Sequence, residues 1–324
     1  MIQKKENISL ISTARVIGIL LVVLGHSYPF EVPLPVFVWK LRDWIYLYHM
    51  PLFIFISGYL LAKSRRTVGD YIGKRAVKLL VPYFALSLAA FVPKVLVQSF
   101  LNDSAELSLG YLLRTELVPR ENVWGHFWYI PVVFFLGCVG IVTLKYMREN
   151  KAVRFAALAA TLGLLFLPQT TDWLALEDLR KTAFYFALGM AVSLTPKWSN
   201  ALTNPLWLLT LPLSIVLLKL SGNTVVGILV ACGMIGCVCF IGTRWTVSGL
   251  MKKIEENSFT IFLLSWPVQA VAEVVLNKLL HLPAMLVMIC MFMSGVIGPM
   301  ICIKIFTAID KKIPIGWIKA VVGM

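Results

Sequence analysis

Residues 8–28 read ISLISTARVIGILLVVLGHSY, and the fold class turns on this stretch. At about 1.5 Å per residue, an α-helix of this length just crosses the ~30 Å hydrocarbon core of a bilayer. Only two ionisable side chains, Arg15 and His26, interrupt its apolar character. The rest of the chain has the same texture. Of 324 residues, 59% are apolar and 14% charged, whereas soluble domains carry about 25% charge. There are too few charges to cover a water-facing surface. A soluble enzyme, a disordered chain and a disulfide-stapled module are thereby excluded. The apolar runs are long and continuous, which also argues against a barrel of alternating ten-residue strands.

The sequence therefore predicts an all-α integral membrane protein with about ten transmembrane helices. They fall at 8–28, 44–62, 79–101, 127–146, 153–167, 182–194, 206–220, 224–242, 259–276 and 284–306. A single polytopic domain, 1–324, is expected, since no linker, low-complexity tract or internal repeat breaks it. The first run is long and lacks a small-residue cleavage site, so it reads as a retained span and not a signal peptide.

Charge sets the orientation. With the N-terminus in the cytoplasm, 20 Lys and Arg fall in inner segments and 8 in outer ones, with Arg15 and Lys94 inside spans. Acids show the reverse bias, ten outside and six inside. The net charge of +14 is thus a topology signal, and it calls for no nucleic-acid partner. Both termini are expected to be cytoplasmic, in a multi-pass protein of the inner or plasma membrane. Segment 63–78 reads as a basic inner loop and 102–125 as a polar outer loop. The six cysteines lie in apolar runs without metal-ligand spacing, so no metal site is expected.

Intramembrane charge is costly and points to function. Arg15 and His26 are eleven residues apart, about three turns, which places them on one helix face ~16 Å apart along the axis. All four histidines map to the outer half. His49 opens the second span, His126 the fourth, and aromatics surround both. A histidine near neutral pKa suits general-base activation of a hydroxyl. Trp124, Trp173 and Trp266 read as interfacial anchors, and Ser57–Tyr59 as a close helix contact. Pro82, Pro93, Pro131 and Pro267 are expected to kink spans around a cavity.

Four motifs carry a family resemblance. Arg15-x10-His26, including VVLGHS at 22–27, precedes HMPLFIFISGYL at 49–60. Arg75 precedes LLVPY at 79–83, and HFWY stands at 126–129. Together they resemble the membrane-bound acyltransferase-3 superfamily, most closely its fucose 4-O-acetylase-like branch. Two positions depart from that pattern. Ser12 stands where an acid often lies three residues before the arginine, and Ser265 where a late span often has histidine.

The resemblance implies transfer of an acyl group, usually acetyl from acetyl-CoA, to a hydroxyl of a cell-envelope glycan or lipid-linked saccharide. On that reading the catalytic set is His26, His49 and Arg15. Arg15, Arg75 and Lys78 would grip the phosphates of the cytosolic donor. Tyr48, Ser57, Trp124, His126, Trp128 and Tyr129 are the candidates for acceptor binding or oxyanion stabilisation. The rival reading is a transporter or flippase for a glycan or small anion, which also tolerates kinked spans with buried Arg and His.

Overall fold

A computed structural model describes residues 2–29, 32–97, 106, 108–220, 222–312, 321 and 323. Glu31, Asp103 and Lys319 of the charge count, and the end of the expected third span at 98–101, lie outside the described residues. Among the described residues every regular element is a helix. The principal ones are α1 (Ile2–Gly25), α2 (Val36–Tyr46), α3 (His49–Leu61), α4 (Val68–Val97), α5 (Leu109–Leu117), α6 (Tyr129–Glu149) and α7 (Lys151–Leu164). They continue with α8 (Leu176–Leu194), α9 (Pro196–Ala201), α10 (Thr210–Leu217), α11 (Thr224–Arg244), α12 (Gly249–Glu256), α13 (Ser258–Glu273) and α14 (Ala284–Lys312).

Where they are described, the ten expected spans lie mostly on helical backbone. Among the described residues six helical stretches are long and apolar enough to cross a membrane: Val36–Leu61, Val68–Val95, Gly125–Glu149, Thr224–Arg244, Ser258–Leu279 and Ala284–Asp310. Ser9–Gly25 and Pro205–Leu220 are apolar but shorter. Three expectations change. The second apolar stretch begins at Val36, not at residue 44, and its helix breaks at residues 47–48. Segment 63–78 is not a loop, because α4 already starts at Val68 and runs 30 residues, about 45 Å. The outer segment 102–125 is not simply polar loop either, since it contains α5. A side-chain cap starts α5: Ser108 Oγ accepts from Tyr111 N at 3.1 Å, satisfying an otherwise orphaned amide. α4 continues through Pro82 and Pro93. Pro131 lies in the first turn of α6, where a missing N–H costs no helical bond.

The chain forms two compact units. The first comprises residues 1–62 and 188–304. There α1 is the central rod, packed on α3, α11, α12 and α13. In apolar surroundings helices associate through close packing, which small residues permit. A Cβ on Gly242 of α11 would lie 2.8 Å from Leu10 Cα, so α11 meets the α1 backbone directly. Gly189 of α8 is tighter: its Cβ would stand 2.1 Å from the Phe55 carbonyl oxygen of α3.

The second unit comprises residues 63–187 and 305–324. α4 packs against α6, with α5 beside α4 and α7 beside α6. A buried ion pair organises its loops. Glu177 accepts from Arg180 Nη2 at 2.7 Å and from the backbone N–H of Thr170 at 3.0 Å. Arg180 Nη1 in turn donates to the carbonyls of Leu164 and Leu167, tying down the C-terminal end of α7. These bonds hold the Glu177 carboxyl well below the usual carboxylate range.

Candidate functional site

His26 is the residue after α1, and its N–H still reaches back to the carbonyls of Val22 and Val23, both at 3.2 Å. The backbone there is pinned from α13. Gln269 is fully buried, and its Nε2 donates to the Val23 carbonyl at 2.9 Å and to Ser27 Oγ at 2.8 Å. Ser27 Oγ donates to the same carbonyl at 2.6 Å. α14 comes close enough to hold this knot only because residue 295 is glycine: a Cβ there would sit 2.7 Å from both Gln269 Nε2 and Val23 Cγ1.

The His26 ring is half-buried among aromatics. Trp266 meets it edge-on with centroids 5.3 Å apart, and Tyr46 does so at 6.3 Å. His49 packs on Tyr46 at 5.0 Å, so the two imidazoles flank one phenol ring. His49 is buried at the helix break, where its Nδ1 lies 2.8 Å from the Ile45 carbonyl. A carbonyl only accepts, so Nδ1 carries the proton and Nε2 the lone pair. The break also explains this bond, because the His49 side chain occupies the carbonyl four residues back at the point where α2 ends.

About three turns back along α1, Arg15 Nη1 pairs with Glu255 Oε1 of α12 at 3.2 Å. Glu255 is buried and also takes Lys252 Nζ at 2.8 Å, and these cations hold its carboxyl below the ordinary value although burial opposes them. Glu255 of α12 thus places an acid beside Arg15, where Ser12 on its own helix provides none. Arg15 meets α12 and His26 meets α13, so one side of α1 carries both residues at two levels.

The remaining sequence-derived candidates of the first unit are internal. Tyr48 is buried at the break with its ring 5.0 Å from that of Trp44. Ser57 lies in α3 on the turn that α8 approaches through Gly189, and Tyr59 OH lies 3.2 Å from Ser199 Oγ.

Arg75, Lys78, Trp124, His126, Trp128 and Tyr129 belong to the second unit. Arg75 lies beside the Tyr71 ring, 5.6 Å from its centroid. Its Nε and the Tyr71 hydroxyl are buried without hydrogen-bond partners among the described residues. Both sit at Gly137 of α6, where a Cβ would come within 3.0 Å of each. Lys78 is exposed. His126 is buried in a short 3-10 turn, its ring 4.8 Å from that of Phe127. Trp124 donates from Nε1 to the Leu86 carbonyl at 3.3 Å. Trp128 is covered by the Arg120 guanidinium at 4.6 Å, and Arg120 is paired with buried Asp178. Tyr129 begins α6 half-buried. Lys94 donates to the Val123 carbonyl at 3.2 Å.

Sequence reasoning missed Glu255, Gln269 and the contact of Trp266 with His26. A polar Gln269 inside an apolar run was a visible signal. Glu255, in a charged inner segment, was indistinguishable from a solvated residue. Trp266, expected as an interfacial anchor, also packs edge-on against His26. Among the described residues no three His, Cys, Asp or Glu side chains converge as a metal-ligand set.

Comparison with known proteins gives the family. A profile described as Acyltransferase domain matches residues 9–304. Nodulation protein NolL of Mesorhizobium japonicum is 25% identical over 194 residues, covering 58% of this chain and 48% of that protein. Nodulation protein NolL of Sinorhizobium fredii is 29% identical over 188 residues, covering 55% and 46%. The chain thus spans about half the length of the curated relatives it matches. No solved structure matches it. With nearly its whole length matched by the profile, and with Arg15 and His26 on one side of the central helix, the chain belongs to the acyltransferase-3 family of acyltransferase domains.

Proposed function

We propose that the protein is a membrane O-acyltransferase that moves an acetyl group from cytosolic acetyl-CoA to a hydroxyl of a cell-envelope glycan or lipid-linked sugar. The observation that carries this reading is the paired imidazole site at the end of α1. His26 is half-exposed there, while His49 behind Tyr46 has a fixed tautomer. In the proposed reaction His26 takes the proton of the acceptor hydroxyl as its oxygen attacks the thioester carbonyl carbon. A tetrahedral oxyanion forms, stabilised by a nearby donor such as Tyr48. Its collapse breaks the C–S bond, and the departing CoA thiolate takes the proton back from His26. An acyl-histidine intermediate is the other order of events. His49 orients His26 or holds the carbonyl.

Arg15, Arg75 and Lys78 are the proposed grips for the donor's phosphates. The buried Arg75 Nε and Tyr71 hydroxyl at side-chain-free Gly137 support that role, since each has bonding capacity to spare among the described residues. A single 1–324 domain in the inner membrane, with both termini cytoplasmic and about ten crossings, remains part of the proposal.

The test is release of free CoA, with gain of one ester-linked acetyl on the glycan, by membranes supplied with acetyl-CoA and envelope glycan. His26→Ala should abolish both without changing protein level. Arg15→Ala should lose at least about tenfold in kcat/KM, while costing under about 1 kcal/mol of stability because Lys252 still neutralises Glu255. Full acylation by both variants would overturn the assignment. A wild-type protein that moves glycan but releases no CoA would favour the transporter reading.

A further inference from the structure

Next to the imidazole site lies a cation that neither the family motifs nor the proposed reaction uses. Arg42 of α2 is half-buried, with its guanidinium carbon 5.1 Å from the Tyr46 centroid, 5.5 Å from Trp39 and 5.7 Å from Tyr28. Among the described residues it has no carboxylate or carbonyl partner. Ring faces are weak partners for a guanidinium, so among the described residues the N–H fork that fits an oxyanion meets no strong acceptor.

A second observation points the same way. Tyr28 is 6% exposed, held in an apolar cluster with Leu34, Val38 and Met288, and its ring lies 5.7 Å from Trp39. Its hydroxyl is buried with no hydrogen-bond partner among the described residues. A buried hydroxyl without a partner is uncommon, because an unmade bond costs free energy. Here it lies in the same aromatic group as an underused guanidinium. The Tyr46 ring neighbours both residues, with the Arg42 guanidinium carbon 5.1 Å and the His26 ring centroid 6.3 Å from its centroid. Rings, a hydroxyl and a cationic fork with no carboxylate partner among the described residues together suit a sugar bearing a negative charge.

We infer that Arg42, Tyr28, Trp39 and Tyr46 form a subsite for an acidic saccharide unit of the acceptor, one that carries a carboxylate or phosphate, presented beside His26. This rests on the acyl-transfer reading for its role but not for its binding chemistry. Arg42 would fork the oxyanion, Tyr28 would donate to a sugar or anion oxygen, and Trp39 and Tyr46 would flank the ring. The acceptor would thereby be chosen by charge before any hydroxyl reaches the base.

The full chain in phosphatidylcholine nanodiscs is titrated with trigalacturonic acid, maltotriose and inorganic phosphate, following tryptophan fluorescence. Trigalacturonic acid should bind at least about tenfold more tightly than maltotriose. Arg42→Gln should erase that preference, a loss of about 10-fold to 100-fold for two charge-assisted bonds. Arg42→Lys, which keeps charge without the fork, should fall between, and Tyr28→Phe should lose a few-fold. Tighter binding of phosphate than of the uronate assigns the anion to a phosphate-bearing acceptor. Equal binding of acidic and neutral trisaccharides, no binding of any probe, or an unaffected Arg42→Gln variant overturns the inference. So does displacement of the saccharide by CoA, which would make this a donor site, or loss of binding in phosphatidylglycerol discs, which would make it a lipid headgroup site. If acid-selective binding holds while CoA is never released, the subsite stands and the acyl-transfer reading fails.

Discussion

Replacing Gln269 by methionine separates what holds α1 in place from what holds His26 in place. The change is close to isosteric, so it opens little cavity. It removes two buried bonds, to the Val23 carbonyl at 2.9 Å and Ser27 Oγ at 2.8 Å. At about 1 kcal/mol each, that is a loss of about 2 kcal/mol. Against it stands Gln269 Oε1, which is buried with no partner among the described residues, and whose removal recovers about 1–3 kcal/mol. The terms nearly cancel, so overall stability should move by less than about 1 kcal/mol. Local order should not be spared. The His26 N–H shares the Val23 carbonyl with Gln269, and Ser27 follows it directly. Losing the α13 anchor frees the last turn of α1, and a misdirected imidazole should lower kcat about tenfold, or 1.4 kcal/mol of barrier. KM for the acyl donor should stay the same. The assay pairs thermal unfolding in nanodiscs with steady-state kinetics for wild type, Gln269→Met, Ser27→Ala and the double variant. The two kcat effects should be strongly non-additive, since the residues share one knot. Wild-type kcat in Gln269→Met, or a stability loss above about 3 kcal/mol with additive kinetics, would refute a positioning role.

Two further outcomes follow from the packing and the loops. Gly189→Ala should destabilise the first unit by more than the usual 1–3 kcal/mol of overpacking, because its Cβ would meet the Phe55 carbonyl oxygen at 2.1 Å and backbone cannot rotate away; a normal melting temperature would count against the α3–α8 contact. Glu116 lies outside the expected spans with both carboxyl oxygens buried, and burial raises its pKa from 4.5 to about 7. The folded state thus holds its proton more tightly than the unfolded one, so α5 should be most stable below pH 4.5, lose protection as pH rises to 7, and level off above that. Hydrogen exchange across α5 should show this slope in wild type and not in Glu116→Gln.

The candidate residues were legible because membranes make polarity expensive. Arg15 and His26 stood out as ionisable residues in an apolar helix, and eleven-residue spacing placed them on one face without any knowledge of neighbours. Gln269 carried the same kind of signal, but a lone amide has many possible partners, and only packing shows that it grips α1. Glu255 gave no signal at all. Its segment reads as solvated inner-surface charge, and its burial comes from α12 folding against α1. Segment boundaries failed where apolar and charged residues mix. Lys74, Arg75 and Lys78 suggested loop, yet a helix readily carries charges on a turn that emerges from the bilayer.

The amino-acid sequence alone determined the solvent in which this protein folds, the helical class that follows from it, and the two ionisable levels, Arg15 and His26, on one face of the first helix. Those rest on local properties: hydropathy per residue and a fixed rise and twist per residue. Tertiary structure alone decided which side chains meet. It brought Glu255 to Arg15, Trp266 to His26 and Tyr28 to Arg42 of α2. Such contacts join residues up to 240 positions apart, and their partners are fixed by packing and by the need to pair buried polar groups, neither of which is written in any one segment.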